Sequence, residues 1–205
     1  MTMPSDLDGQ HIGTFWLFDL SDASPPGVTA RLPVTFGRAG TEDIPELAQV
    51  MGLPDAAEIQ RRLAAGKECF IGKVDGTLAT YGWVTFDQEE IGELGLSIHL
   101  QPGEAYIWDC GTPAAYRGQR LYPALLSSLL AELRALGLRR VWIGADADNV
   151  ASQHGMELAG FHPVADFLLA RASAPPRTWL RGCGGASQQE IRDVHAAIFG
   201  EKRVI

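Results

Sequence analysis

Residues 108–136 have the sequence WDCGTPAAYRGQRLYPALLSSLLAELRAL, which holds the strongest structural signal in the chain. A predicted strand, Glu104–Thr112, leads into a loop with Arg117 and Gly118, and an apolar helix follows over Leu121–Leu136. The first turn of a helix leaves backbone N–H groups without partners and carries the positive end of the helix dipole. The loop therefore favours an anion such as a pyrophosphate. A turn that uses Arg and Gly only for solubility and tightness would have the same residues.

A second segment, NVASQHGMELAGF, begins at Asn149 and also predicts a helix. Asn149 is a suitable N-cap, and Ser152 and Met156 fall on the same helical face as Asn149. Gly160 and Phe161 then end the helix and begin a strand.

The order of the remaining elements indicates the fold class. From Leu32 the sequence predicts a strand, LPVTFGRA, followed by short helices in IPELAQVM and Asp55–Ala65. Before the Glu104 strand come three more predicted strands: Glu68–Val74, Leu78–Phe86 and Ile91–Leu100. After it, helices and strands alternate. Clustered strands followed by alternation indicate a mixed sheet covered by helices.

Together, the two helical segments resemble the acyl-CoA-binding core of the GCN5-related N-acetyltransferase (GNAT) superfamily. The family's first motif, Arg/Gln-x-x-Gly-x-Gly/Ala, corresponds to RGQRLY from Arg117. Its second, Asn-x-x-Ala/Ser-x-x-x-Tyr-x-x-x-Gly-Phe, corresponds to the segment from Asn149 with its spacing intact. The resemblance covers Leu32–Ala170. It implies an α/β (α+β) GNAT fold, with a central mixed, mostly antiparallel sheet of six to seven strands flanked by helices.

The chain divides into three predicted parts. Residues 1–31 form an N-terminal extension in which His11–Leu20 is expected to add an edge strand. Residues 32–171 form the acyltransferase domain. Residues 172–205 form a linker and a C-terminal helix, whose start is marked by the capping-box pattern from Ser187 to Glu190.

The resemblance implies a set of residues that bind acetyl-CoA, or another acyl-CoA. They are Cys110, Gly111, Thr112, Arg117, Gly118, Gln119, Arg120, Leu121, Tyr122, Asn149, Ser152 and Met156. Three of them depart from the family pattern. Arg120 replaces a glycine, Tyr122 replaces a small residue, and Met156 replaces a tyrosine that protonates the departing thiolate in many relatives.

In the family, an amine attacks the thioester directly in a ternary complex, and a bulged fourth strand, here near Cys110–Thr112, supplies a backbone donor for the carbonyl. Three catalytic candidates follow on this strand: Asp109, Tyr106 and Glu104. Each has an alternative. Asp109 could hold a loop N–H group, Tyr106 could protonate the thiolate or form a substrate wall, and Glu104 could be a solvated carboxylate. The two-residue period of a strand predicts Tyr106 and Trp108 on one face and Asp109 on the other.

Composition narrows the function classes. A net charge of −8 and an isoelectric point near 5.1 argue against a nucleic-acid or anionic-membrane partner. No apolar run approaches the roughly 20 residues of a membrane span, and the N-terminus lacks the pattern of a signal peptide. The 3 cysteines have no CxxC pair, which argues against a metal site or disulfides and favours a reducing, cytoplasmic location.

We therefore expect an acyl-CoA-dependent N-acyltransferase that acetylates a primary amine on a small molecule or other amino-group acceptor. Two alternatives remain: a non-catalytic acyl-CoA-binding module, and a transferase for a longer acyl group. A homodimer, which is common in the family, is possible. The sequence does not identify the acceptor.

Overall fold

The computed structural model describes residues 10–22, 24–92, 95–170 and 177–200. The strands are β1 (Gln10–Asp19), β2 (Thr35–Arg38), β3 (Glu68–Val74), β4 (Thr77–Thr85), β5 (Gln88–Ile91), β6 (Leu96–His99), β7 (Glu104–Gly111), β8 (Arg140–Asp146), β9 (His162–Ala170) and β10 (Arg177–Gly182). The helices are α1 (Ile44–Val50), α2 (Ala57–Ala64), α3 (Leu121–Ala135), α4 (Val150–Leu158) and α5 (Gln188–Phe199). The loose N-terminal start and the linker at 172–176 that the sequence predicts lie largely outside the described residues.

Eight strands form one sheet in the order β10-β9-β1-β8-β7-β4-β3-β2. Neighbours are antiparallel except β7 and β8, which pair in parallel. The predicted mixed, mostly antiparallel GNAT sheet is therefore confirmed. Its strand number exceeds the expected six to seven because β1 and β10 both join it.

The N-terminal strand was predicted to lie at an edge of the sheet, but it lies in the interior. β1 pairs with β8 on one side and with β9 on the other. Residues 13–18 are all buried, because helices or the hairpin described next cover both faces of the sheet here. The continuous apolar run Phe15–Phe18 indicates this interior position, because a strand with one face in water would alternate between apolar and polar residues.

The predicted strand Ile91–Leu100 is instead part of a separate hairpin, β5–β6. Gly95 has φ +59°, a left-handed backbone that suits glycine and ends the extended run. Glu89 and Glu90 both lie within β5. The hairpin packs on α5 through Ile98, which is fully buried.

Helices cover both faces of the sheet. On one face α3 packs with α4, and their apolar residues form a core with β3, β4, β7 and β8. On the other face α1 and α2 cover β3 and β4, and α5 covers the β1, β8 and β9 side. The α5 helix begins as predicted with a capping box between Ser187 and Glu190.

Candidate active site

The parallel strands β7 and β8 separate towards their C-terminal ends. Their pairing extends only as far as Ile107 and Ile143. Two residues beyond Ile107, β7 contains a β-bulge in which Asp109 and Cys110 lie opposite Gly82 alone. A bulge bends its strand away from its neighbour. The bulge expected on this strand is therefore present, and it lies where the sheet opens.

The loop between β7 and α3 adopts a left-handed backbone at two residues. Gly118 has φ +76° and Arg120 has φ +58°. A side chain in this region costs about 1 kcal/mol or more, whereas glycine adopts it readily. The backbone angle at Arg120 accounts for the glycine at this position in the motif that the chain resembles. Arg31 holds the loop: its backbone N–H donates to the Gln119 carbonyl at 2.8 Å, and Nη1 donates to the Gly118 carbonyl at 3.1 Å.

A cavity of about 750 Å³ lies over this loop and the start of α3. Three arginines, Arg31, Arg117 and Arg120, line it, and the described lining residues include no Asp or Glu. We call it the arginine cavity. Ten of the predicted cofactor-binding residues line it: Cys110, Gly111, Thr112, Arg117, Gly118, Arg120, Leu121, Tyr122, Asn149 and Ser152. Arg31 was missed because it is distant in sequence from both motifs.

A second cavity of about 610 Å³ occupies the opening between β7 and β8. Its walls are largely aromatic and apolar, and its charged lining residues are three carboxylates, Glu90, Asp109 and Asp146. No Lys or Arg is among the described residues that line it. We call it the carboxylate cavity. The predicted catalytic residues Tyr106 and Asp109 both lie on its wall.

The two cavities share a wall formed by Cys110, Tyr122, Asn149 and Ser152. Tyr122 Oη lies 3.1 Å from Ser152 Oγ and joins the start of α3 to α4. The Tyr122 ring packs so closely on α4 that a Cβ at Gly155 would lie 2.5 Å from Cδ1. Burial, with a smaller effect from Cys110, raises the pKa of Tyr122, so its hydroxyl remains protonated.

Two residues of the shared wall have local structural roles. Asn149 is the N-cap of α4, and its Oδ1 accepts a hydrogen bond from the Ser152 N–H at 3.1 Å. Burial raises the pKa of the Cys110 thiol, which therefore stays neutral. This is consistent with a small filler and not with a nucleophile.

The Asp109 carboxylate is held by two side chains. Arg62 Nη1 donates to Oδ2 at 2.5 Å, and the Tyr81 hydroxyl donates to Oδ1 at 3.3 Å. Arg62 also donates from Nε to Glu58 at 2.8 Å. Burial opposes the charge on Arg62, but the bonds to Glu58 and Asp109 outweigh it and raise the pKa of the guanidinium. Burial and then Asp109 raise the pKa of Tyr81, so its hydroxyl remains a donor.

Arg62 lies against two indole rings on the same side of the sheet. Its guanidinium carbon is 5.0 Å from the Trp83 ring centre and 4.5 Å from that of Trp108. Trp108 and Asp109 thus both contact Arg62, although strand alternation predicted them on opposite faces. The bulge explains the difference: Asp109 has φ +42°, which interrupts the two-residue period.

Glu104 is absent from the lining of both cavities, so its catalytic role stays a prediction without support from this geometry. It is not the solvated carboxylate that was the alternative. It lies at the other end of β7 and is 7% exposed. Its Oε2 accepts a hydrogen bond from the Gln101 N–H at 3.0 Å, and its Oε1 lies 3.8 Å from Arg140. Its observed role is to pair the start of β7 with β8.

Met156 and Gln119 also differ from the predicted cofactor contacts. Met156 is fully buried in the core that α3 and α4 form with the sheet, and other residues form the cavity walls. The apolar side chain packs inward, and its contact with the cofactor stays a prediction. Gln119 contributes its carbonyl to the bond from Arg31 and lies outside the lining of the arginine cavity.

Two features are absent from the described ranges. No helix in those ranges is both long and apolar enough to cross a membrane. Within the same part of the chain, no group of three or more His, Cys, Asp or Glu side chains is arranged to hold a metal ion.

Comparison with known proteins identifies a family. Residues 41–161 match the model of the acetyltransferase (GNAT) family. No curated protein matches the sequence.

Solved structures with a similar fold belong to the same family. A GCN5-related N-acetyltransferase from Sphaerobacter thermophilus has a TM-score of 0.58 and 14% identity over 88% of this chain and 55% of its own. A tandem GNAT protein from the clavulanic acid biosynthesis pathway has a TM-score of 0.55 and 19% identity, and the match covers 89% of this chain and 56% of that protein. A GNAT acetyltransferase from Colwellia psychrerythraea has a TM-score of 0.53 and 16% identity, and the match covers 75% of this chain and 53% of that protein. The chain thus spans little more than half of each structure, and at these identities the likeness shows the fold alone.

Proposed function

The chain belongs to the GNAT acetyltransferase family, and from that premise we propose that it transfers an acetyl group from acetyl-CoA to a primary amine. In the proposed reaction the amine attacks the thioester carbonyl directly. One observation carries the proposal: a cationic cavity and an anionic cavity open onto one shared wall beside the bulge of β7. A phosphate-bearing donor and a protonated amine can each enter the cavity of opposite charge.

The residues of the arginine cavity fit coenzyme A. The N–H groups at the start of α3 can bind a pyrophosphate, with Arg117 and Arg120 as cationic donors beside them. Arg31 adds a third charge in the same cavity. Acetyl-CoA, when bound, supplies the activated acyl group. We propose that a backbone N–H group of the bulge around Cys110 donates a hydrogen bond to the thioester carbonyl of acetyl-CoA.

We propose that Asp109 receives the ammonium proton through a water molecule. Its carboxylate lines the carboxylate cavity and is held in position by Arg62 and Tyr81. A water molecule that hydrogen-bonds to this carboxylate can pass the proton on to solvent. General-base groups contribute roughly 10²–10⁴-fold, and we expect the lower end of that range here.

We propose that Tyr122 replaces the missing tyrosine at position 156 as a hydrogen-bond donor to the departing thiolate, since burial raises the pKa of Tyr122 and makes it a weak acid. Its hydroxyl is protonated, bonds to Ser152 and lies on the wall that both cavities share. Tyr106 lines the carboxylate cavity and stacks on Phe15, with ring centres 5.6 Å apart. We therefore assign Tyr106 to the acceptor wall.

The test begins with calorimetric titration of acetyl-CoA, CoA and a longer acyl-CoA. It continues with transfer assays on a panel of primary amines. We expect acetyl-CoA to bind and to be consumed with at least one amine. Binding without transfer to any amine would contradict the proposal and support a non-catalytic module. Preference for the longer thioester would contradict acetyl as the transferred group.

Three substitutions separate the proposed roles. Asp109→Asn should lower kcat about 10²-fold with little change in acetyl-CoA affinity. Tyr122→Phe should lower kcat more than Tyr106→Phe, which retains the ring that the acceptor contacts. Asp22→Asn removes the same charge at an exposed site beyond the other end of β1 and serves as control. Equal kcat values for the two tyrosine variants would refute the role of Tyr122.

A further inference from the structure

The carboxylate cavity contains negative charge that the described residues do not neutralise. Asp109 is paired with Arg62, but neither Glu90 nor Asp146 forms a salt bridge within the described part of the chain. The two cations that contact the Trp108 ring are already engaged: Arg62 bonds to Glu58 and Asp109, and Lys67 pairs with Glu89. A ligand that brings its own positive charge would complement this cavity.

The remaining walls are apolar and rigid. Phe15 stacks on Tyr106 at 5.6 Å and meets Phe167 edge-on at 5.8 Å between ring centres. Trp108 closes the side nearest the bulge. Phe15 and Phe167 are almost fully buried, so their positions are set by the core and not by the ligand. Such walls favour a flat, apolar ligand body.

The volume limits the size of the ligand. About 610 Å³ is in the range of small-molecule sites, and part of it borders the wall shared with the arginine cavity. The remaining space suits one ring and a short chain.

We infer that the acceptor is a small arylalkylamine: a protonated primary amine on a short chain with a ring-sized apolar body and without a carboxylate. This inference rests on the proposed function and specifies its substrate class. Glu90 and Asp146 attract the ammonium group during binding, and the aromatic walls contact the ring. An amino acid is disfavoured because its carboxylate would enter a cavity that already holds three carboxylates.

The test compares 2-phenylethylamine with phenylalanine, which share a ring and a primary amine and differ by one carboxylate. We expect kcat/KM for the amine to exceed that for the amino acid by at least about tenfold. n-Propylamine tests the aromatic walls, and its kcat/KM should also be lower than that of 2-phenylethylamine.

A variant experiment ties the preference to the two unpaired carboxylates. The double substitution Glu90→Gln with Asp146→Asn should reduce the ratio between 2-phenylethylamine and phenylalanine several-fold. Asp22→Asn should leave the ratio unchanged. Both positions of the double variant are exposed, and thermal unfolding checks that its fold is intact.

The outcomes separate this inference from the proposed function. A ratio near one, a preference for phenylalanine, or an unchanged ratio in the double variant would overturn the inference while leaving acetyl transfer in place. Absence of transfer to every amine would overturn the proposed function. In that case calorimetric titration of 2-phenylethylamine and phenylalanine into the CoA-loaded protein still decides the inference, since equal affinities would refute it.

Discussion

The arginine cavity and the carboxylate cavity share one wall but differ in charge and in the way they are assembled. The arginine cavity is lined mainly by two continuous segments, the loop that leads into α3 and the first turns of α4. The carboxylate cavity is lined by residues from β1, β5, β7, β8 and β9. A cavity built by two local segments can be recognised from motifs, whereas one built by five separated strands cannot.

Chemistry explains part of this difference. Phosphate groups are bound by backbone N–H groups at a helix start, and such a start has a local sequence pattern. The carboxylate cavity uses individual side chains such as Glu90 and Asp146, which have no common spacing. The predictions below test whether the two cavities act as separate binding sites that meet at the bulge.

Among the variants below, Gly111→Ala, at the end of the bulge, is expected to have the largest combined effect, because it changes both stability and activity. A Cβ here would lie 2.4 Å from Cε1 of Tyr81, which is buried and donates to Asp109. The clash should lower the free energy of unfolding by about 1–3 kcal/mol and reduce acetyl transfer more than tenfold, because Tyr81 must move. Chemical denaturation and kcat provide the measurements.

Gly37→Ala is the control for Gly111→Ala, since a Cβ there has nothing within 4 Å. Similar losses of stability and of kcat in the two variants would show that the contact with Tyr81 is unimportant.

Arg117→Ala tests the charge of the arginine cavity. Loss of one charge-assisted donor should raise the Kd of acetyl-CoA about 10- to 100-fold. The KM of the amine should change little, because Arg117 lines only the arginine cavity. Arg192→Ala, an exposed site on α5, is the matched control. An equal rise in the Kd of acetyl-CoA and in the KM of the amine would contradict the separation of the two sites.

Arg120→Gly gives a smaller effect on stability. Glycine relieves the left-handed strain at φ +58° but increases the entropy of the unfolded chain. The free energy of unfolding should therefore rise by no more than about 1 kcal/mol, while acetyl-CoA affinity falls a few-fold. Gly118→Ala, at φ +76° with open space around its Cβ, should change stability in the opposite direction. Denaturation of both variants tests this contrast.

The smallest effect concerns His195, which lies on α5 with its ring centre 4.7 Å from that of Phe199. Burial lowers the pKa of His195 below its ordinary value of 6.5, and Nδ1 has no hydrogen-bond partner in the described structure. The unfolded chain binds the proton on His195 more readily than the folded chain does. The contribution of neutral His195 to the free energy of unfolding is therefore complete above about pH 6.5 and is lost as the pH falls. Thermal unfolding between about pH 7.5 and 5.5 should show a declining midpoint. His195→Gln should weaken that decline, and an identical decline would exclude His195 as its source.

Local patterns predicted much of the fold correctly. The β3 boundaries, the start of α3 and the capping box of α5 agree with the sequence predictions because each depends on nearby residues. Errors occurred where an element's environment decides its role. β1 appeared terminal in sequence but lies between β8 and β9, and the long strand after Ile91 is a hairpin.

The candidate site divides in the same way. Residues of both motifs line the arginine cavity, and their contacts with the cofactor stay a prediction. Arg31 and Arg62 were missed because the residues that they contact, Gly118 and Asp109, are far from them in sequence. Met156 was assigned by motif position, but its side chain lies in the core.

By itself, the sequence determined the family, much of the order of elements and the start of α3, because spacing, caps and helix termini depend on residues a few positions apart. Only the tertiary structure determined that β1 completes the sheet, that Arg62 holds Asp109, and that two cavities of opposite charge meet at the bulge. These features depend on strand order and on a break in the alternation of β7. Both result from packing between segments that are distant along the chain.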